Sequence, residues 1–344
     1  MKIAFVIYDL GKGGAERVVS LLSNELVTRM YEVDIVLFNN TVSYNTSANI
    51  IKLNIPYKRK PIMKAVNLVV RTVSLFFLFR RKKYDKIFAF MPEAYVPSIL
   101  TGFPIVASER NNPKFKRNIF RKFVLSKAAF VIAVSNGVEA VLKSEFSVKR
   151  VRTIYSPVQF GENLCSRAKI PIQGRYILAV GRLSQQKNFS LLIKAYSVSN
   201  AAKHVSLVIV GEGSERPYLE KLICDLGLGD KVVLLGQIHD VEPLYHHCEF
   251  LALSSLFEGV PNVLLEAFSC SKTAVATDCP YGPSEILSDG VNGLLVKNND
   301  VIELSEALNK LQGDSDLRRR LEANAKHSVK RFKLSCIVDE WLSV

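Results

Sequence analysis

The feature that most constrains this chain is an alternation of short apolar runs with helix-like segments, which occurs twice. The first series of apolar runs is Ile3–Ile7, Val33–Leu37, Lys86–Phe90, Ile105–Ala107, Phe130–Val134 and Val151–Ile154. Each has the length and continuity of a strand buried on both faces, the pattern of a parallel sheet. Helical patterns lie between them, among them Glu16–Arg29, Ile62–Arg81, Asn118–Lys127 and Gly137–Phe146. After the poorly periodic stretch Pro157–Pro171 the alternation restarts. Its runs are Tyr176–Val180, Val205–Val210, Val232–Leu235, Phe250–Leu253, Thr273–Ala276 and Gly293–Val296. Two such blocks predict an α/β protein of two doubly wound parallel sheets. A length of 344 residues exceeds one typical core and fits two domains. Ligands of such sheets bind beyond the carboxyl ends of the strands, so a central cleft faced by both domains is the expected site.

The charge is divided unevenly between these blocks. Residues 1–165 carry 26 Lys+Arg against 11 Asp+Glu, whereas residues 166–344 carry 20 against 21. The net +14 therefore belongs to the first half, in clusters at Lys58-Arg59-Lys60, Arg80–Lys83 and Lys114 through Lys122. Such a field attracts anionic lipid, nucleic acid or phosphorylated substrates. The absence of any nucleic-acid motif sets nucleic acid aside. The six cysteines form no CxxC pair, and His246-His247-Cys248 has no second cluster to complete a metal site. A disulfide framework is not expected, and a reducing cytoplasm is. The opening MKIAFVIYDLGKGGAE leads into a glycine loop, which identifies it as a first strand and not a signal peptide. Ala65–Phe79 is apolar, but at about 15 residues and with Arg71 inside it reads as too short to span a bilayer. It is either a core-facing helix or one whose greasy face and basic end, Arg80–Lys83, dock on a membrane.

Chemistry concentrates at the loops that would leave these strands. Glu258-Gly-Val-Pro-Asn-Val-Leu-Leu-Glu266 follows the run Phe250–Leu253 and sets two carboxylates eight positions apart across a helix start. Pro261 suits the first helical position, and a helix beginning there aims free N–H groups and a positive dipole end at an anion. A carboxylate near a phosphate and another near a ribose describe a nucleotide-sugar pocket; the alternative is an ordinary junction with two surface glutamates. Earlier, Gly181-Arg182-Leu-Ser-Gln-Gln-Lys187 places two cations in the loop after a strand, where they could neutralise a departing diphosphate or merely line the surface. Gly211-Glu-Gly213 and Gly11-Lys-Gly-Gly14 are further loops of the same kind, the latter lacking the spacing of a dinucleotide fingerprint.

Taken together, GGAE at Gly13–Glu16, SERNNP at Ser108–Pro113, AVSNGV at Ala133–Val138, GRLSQQKN at Gly181–Asn188, VGEG at Val210–Gly213 and EGVPNVLLE at Glu258–Glu266 form an ordered set. With YGPSEIL and GVNGLLV downstream, the chain resembles the retaining nucleotide-sugar glycosyltransferases of family 4, of the bacterial polysaccharide and lipopolysaccharide type, over nearly its whole length. The resemblance implies the GT-B fold, with residues 1–160 as acceptor domain and 161–328 as donor domain. A C-terminal helix over 329–344 would pack back on the first. It implies that Arg182 and Lys187 bind the donor diphosphate and act in catalysis with Glu258, which contacts the donor sugar. Gly259, Val260, Pro261, Asn262, Val263 and Gly211 would line the donor, and Glu266 would accept from the ribose hydroxyls. Gly13 and Gly14 would approach donor phosphate and acceptor.

Many members carry a histidine in the segment matching Ser108–Asn112; here it reads Ser-Glu109-Arg110-Asn-Asn. Glu109 and Arg110 either join the acceptor site or only shape the cleft. Asp314-Ser-Asp316 precedes Leu317-Arg-Arg-Arg-Leu and reads as a helix cap, not a metal motif. The expectation is transfer of a hexosyl or N-acetylhexosaminyl group from a UDP-sugar, without metal or other cofactor. The acceptor would be a glycan or lipid-linked glycan, handled in the cytoplasm at the inner face of the membrane. The alternatives are a nucleotide-sugar epimerase or hydrolase of the same fold, and a non-catalytic nucleotide-sugar-binding subunit.

Overall fold

A computed structural model describes residues 1–11, 13–56, 61–113, 119–159, 172–238 and 240–344. The basic cluster Lys58–Lys60, the part of the next cluster from Lys114 to Arg117, Lys12 and most of the stretch Pro157–Pro171 lie outside the described residues. The chain divides into two units, Met1–Pro157 with Leu334–Val344, and Val158–Lys333.

In the first unit, seven strands are β1 (Lys2–Ile7), β2 (Glu32–Leu37), β3 (Asn49–Lys52), β4 (Lys86–Phe90), β5 (Ile105–Glu109), β6 (Phe130–Ala133) and β7 (Val151–Thr153). They pair in parallel in the order β3-β2-β1-β4-β5-β6-β7. The order turns between β1 and β4, which makes their carboxyl ends the switch point. The helices that connect them are α1 (Gly14–Thr28), α2 (Pro61–Lys82), α3 (Pro92–Leu100), α4 (Ile119–Leu125) and α5 (Asn136–Ser144).

The second unit repeats the plan with β8 (Tyr176–Val180), β9 (Ser206–Val210), β10 (Val232–Gly236), β11 (Leu251–Leu253), β12 (Ala274–Asp278) and β13 (Leu294–Lys297). Their parallel order is β10-β9-β8-β11-β12-β13, with the switch at β8/β11. Its helices are α6 (Phe189–Ser197), α7 (Arg216–Asp225), α8 (Glu242–His247), α9 (Asn262–Ser269), α10 (Pro283–Ile286), α11 (Val301–Gly313) and α12 (Ser315–Ser328). Strand residues such as Ile177, Ala179, Leu207 and Ile209 are fully buried among residues of α6 and α11. The expectation of two doubly wound sheets is met.

Four details depart from the sequence reading. The four-residue edge strand β3 gives too weak a pattern to register, since its residues are only half-buried or exposed. Pro261 sits at the N-cap with extended backbone and α9 begins at Asn262, so proline precedes the helix and does not open it. The C-terminal segment is not one helix from 329. Val329–Phe332 forms a 3-10 turn with Val329 and Phe332 buried in the second unit, and only Leu334–Leu342 (α13) joins the first. There Trp341 stacks on Phe90 at 5.1 Å and meets Phe88 edge-on at 5.2 Å, so this helix completes the core beneath β4.

The fourth concerns the apolar segment around Ala65–Phe79. It extends to a 22-residue helix, α2, of which Ile62–Lys82 is long and apolar enough to cross a membrane by length and composition. One face is nevertheless packed in the fold. Arg71 is buried, donates to the carbonyls of Ile55 and Glu93, and lies over the rings of Phe38 and Tyr8. Ile62, Val66, Val69, Val73 and Phe77 recur at helical spacing on the opposite face and are exposed. The core-facing reading thus holds for one face of α2, and the other is an exposed apolar face.

Candidate functional site

The site residues of the second unit gather at the β8/β11 switch point. β8 ends at Val180, and Gly181 follows because the stem of Lys187 crosses directly over it: a Cβ there would lie 3.1 Å from Lys187 Cε. The chain then forms a 3-10 turn, Gln185–Lys187, closed by Asn188 in the left-handed region. Hydrogen bonds tie this turn to the loop after β11. Ser254 Oγ donates to Lys187 O (2.9 Å), Leu256 N donates to Gln186 O (2.8 Å) and Gln186 Nε2 donates to Phe257 O (2.9 Å). The two loops therefore form one bracketed surface, and Lys187 Nζ reaches Glu258 Oε1 at 2.6 Å.

Glu258 is buried, and Ser255 Oγ also donates to its Oε1 at 2.6 Å. Both bonds fall on one oxygen, so Oε2 is the atom left to face a ligand. The backbone is fixed as well: Glu258 N donates to Pro280 O and Tyr281 N donates to Glu258 O, each at 3.0 Å. Gly282, at φ +98°, packs so tightly on this segment that a Cβ would lie 2.6 Å from Gly259 O. Gly259, Val260 and Pro261 are held buried beneath it, and Val263 is half-buried in the first turn of α9.

At the start of α9, Asn262 Oδ1 is buried without a hydrogen-bond partner. One turn on, Glu266 Oε2 accepts from Tyr245 OH (2.8 Å), which orients the carboxylate. Arg182 is exposed, and its side chain forms no ion pair or hydrogen bond among the described residues, so its charge is available. Gly211, at φ +144°, leans against the Gly181 carbonyl: a Cβ would sit 1.9 Å from that oxygen, and one on Gly213 would sit 2.1 Å from Leu183 O. No side chain fits at either position. Cys279 lies nearby, but burial pushes its thiol up to about 12, which removes it as a nucleophile at neutral pH. Asp314 caps α12, accepting from Asp316 N and Leu317 N, as its position before a helical pattern led one to expect.

The first unit holds the remaining sequence-derived candidates. Gly13 is the N-cap of α1 and Gly14 its first residue, with the carboxylate of Glu16 folded over Gly13. Glu109 is fully buried at the end of β5, where Oε2 accepts from Arg121 Nη2 and from Tyr95 OH (2.9 Å). Burial opposes the charge on Arg121, but Glu109 and Tyr95 outweigh it and raise its pKa. Glu109 is thus engaged inside the fold. Arg110, the next residue, turns the other way and donates from Nη2 to Ser156 Oγ at 2.5 Å.

Two parallel-sheet Rossmann-like units, the second with cations and carboxylates at its switch point, define the class of GT-B proteins. The family described as "Glycosyltransferase Family 4" matches residues 12–160, and "Glycosyl transferases group 1" matches residues 165–328. A Campylobacter jejuni protein is 32% identical over 96% of this chain and 95% of its own length. It is named as an N-acetylgalactosamine-N,N'-diacetylbacillosaminyl-diphospho-undecaprenol 4-alpha-N-acetylgalactosaminyltransferase. A second from that organism, also an N-acetylgalactosaminyltransferase, is 28% identical over 100% of this chain and 98% of its own. Among solved structures, HepE of Anabaena in complex with UDP-glucose superposes with a TM-score of 0.83 at 22% identity, covering 100% of this chain and 99% of that one. The chain belongs to the GT-B glycosyltransferases.

Sequence reasoning named Arg182, Lys187, Glu258 and Glu266 but missed what holds them. Ser255, Tyr245 and the Pro280–Gly282 loop carry no motif of their own. The last lies in YGPSEIL, quoted for the resemblance without a role, and its glycine was the available signal.

Proposed function

We propose that this chain transfers an N-acetylhexosaminyl or hexosyl group from a UDP-sugar to a lipid-diphosphate-linked glycan, with retention of anomeric configuration and without a metal ion. The observation that carries it is the Lys187–Glu258 pair at the β8/β11 switch point, in the same loop as Arg182, whose side chain is unpaired among the described residues. In this reading the two cations and the start of α9 hold the diphosphate as it departs, supplying the positive charge a metal would otherwise bring. Glu258, already tied to Lys187, faces the sugar hydroxyls through its second oxygen, and Glu266 accepts from the ribose. Neither carboxylate is the base; the departing phosphate takes the proton of the incoming hydroxyl on the same face. The names of the Campylobacter jejuni relatives favour this donor and acceptor class, and an α product from an α-linked nucleotide sugar is retention. The exposed face of α2, with Arg80 and Arg81 at its end, favours peripheral association with the inner leaflet of the cytoplasmic membrane.

The test is incubation with a panel of UDP- and GDP-sugars and lipid-diphosphate-linked glycans, with the product's anomeric configuration read by NMR. An α-linked product that forms with UDP-N-acetylhexosamine and without added metal supports the reading. Free sugar or an isomerised donor formed without acceptor would point to hydrolysis or epimerisation instead.

A further inference from the structure

Arg110 has a guanidinium whose hydrogen bonds are not closed. Its Nη2 donates to Ser156, but Nη1 is buried without a partner, and the residue forms no ion pair among the described residues. The adjacent carboxylate, Glu109, is not available to it, since that group is locked to Arg121 and Tyr95. Burial pulls the Arg110 pKa down to about 10, only partly offset by the charge of Glu109, so the group is still a cation at neutral pH. Arg110 is half-buried, and a cation with a buried donor unmet is costly to the fold unless an anion completes it.

Topology says where that anion would sit. Arg110 follows β5 and Ser156 follows β7, and β6 lies between them in the sheet. The Arg110–Ser156 bond therefore crosses the carboxyl end of β6, where Ser135 caps the nine-residue helix α5. The N-terminus of α5, where Ser135 Oγ accepts from Val138 N, therefore begins at the strand end that this bond spans, and guanidinium and helix start are both positive. The planar donor fork matches the oxygens of a phosphate.

We infer that Arg110 and the start of α5 form a binding site for a phosphate or diphosphate group of a substrate, separate in the chain from the Arg182–Lys187 loop. This rests on the transferase reading above for the identity of the phosphate, though not for its binding. Glu109 is then the support and Arg110 the ligand, which separates two residues that the sequence left as alternatives.

The test uses the whole chain and inorganic pyrophosphate. Calorimetric titration should find two classes of binding in the wild type, with one lost in Arg110→Met and the other in Arg182→Ala. Arg110→Met should melt at or above the wild-type temperature, because the charge it removes has no partner. If that variant does not fold, Arg110→Lys, which keeps the charge without the fork, should weaken the same class about tenfold. Steady-state kinetics identify the source. A rise of about tenfold or more in KM for the lipid-diphosphate acceptor, but not for a phosphate-free glycan, assigns the phosphate to the acceptor. A rise in KM for the nucleotide sugar assigns it to the donor. Pyrophosphate binding unchanged by both Arg110 variants would overturn the inference. Unchanged binding in Arg182→Ala would instead count against the donor site alone.

Discussion

The two units share a plan and differ in how their charges are used. The second carries 20 Lys+Arg and 20 Asp+Glu, and at its carboxyl edge the loop after β8 is bonded to those after β9 and β11, with glycines where it meets the loop after β9. The first carries 26 Lys+Arg against 12 Asp+Glu, exposes an apolar face on α2, and leaves Arg110 without an ion-pair partner among the described residues. One edge is thus assembled before a ligand arrives, whereas the other keeps unpaired charge and bare apolar surface. The difference teaches that a doubly wound sheet does not by itself set what binds: the loops at its carboxyl edge and the charge around it do. In the proposed function the closed loops take the donor and the positive unit takes the acceptor.

The largest effect should come from breaking the closed pair inside the open unit. Glu109→Gln leaves Arg121 buried without a counter-charge and should destabilise the first unit by about 3–5 kcal/mol in chemical denaturation. A loss well below that would mean Glu109 is free to serve a ligand. Next, Gly211→Ala forces a Cβ into the Gly181 carbonyl at a positive φ and should cost about 3 kcal/mol while abolishing donor binding. Tolerance of alanine there would break the picture of a pre-assembled edge. Arg182→Ala should leave the melting temperature unchanged and lower kcat by about 10²-fold or more.

Much of this was legible in the chain because parallel strands are buried on both faces and announce themselves as apolar runs. The cations and glutamates at the β8/β11 switch point were legible too, since glycines and helix starts mark loops at strand ends. Their partners were not. Lys187 and Glu258 are 71 positions apart, and nothing local says that one will hold the other. Glu109 and Arg110 look equivalent as neighbours in sequence, yet consecutive residues at a strand end point to opposite sides of the sheet. The ends of α2 were legible to within a residue, whereas its apolar span was read as short because Lys64 and Arg80 bound the run Ala65–Phe79.

Two smaller effects sharpen the same contrast. Val69→Asp and Phe77→Asp on α2 should each change stability by less than about 0.5 kcal/mol. They should still reduce sedimentation with phosphatidylserine or phosphatidylglycerol vesicles, and salt should lower the wild-type signal. Retention that is insensitive to salt and to both substitutions would contradict docking by this face. In the second unit, Arg175 donates to Glu249 and lowers its pKa against the opposing effect of burial, with Arg318 adding to it. A depressed carboxylate contributes stability above its unfolded value of about 4.3 and loses it as pH falls through the folded value. Glu249→Gln should therefore cost about 1 kcal/mol at pH 7, and the difference from wild type should vanish in acid.

Hydrogen–deuterium exchange with and without UDP-N-acetylhexosamine tests the central claim most directly. The expected result is slowed exchange at residues 181–188, 211–213 and 258–266, lost in Arg182→Ala. Exchange in those three segments that is indifferent to the nucleotide sugar would contradict the assignment of the second unit's closed edge as the donor site.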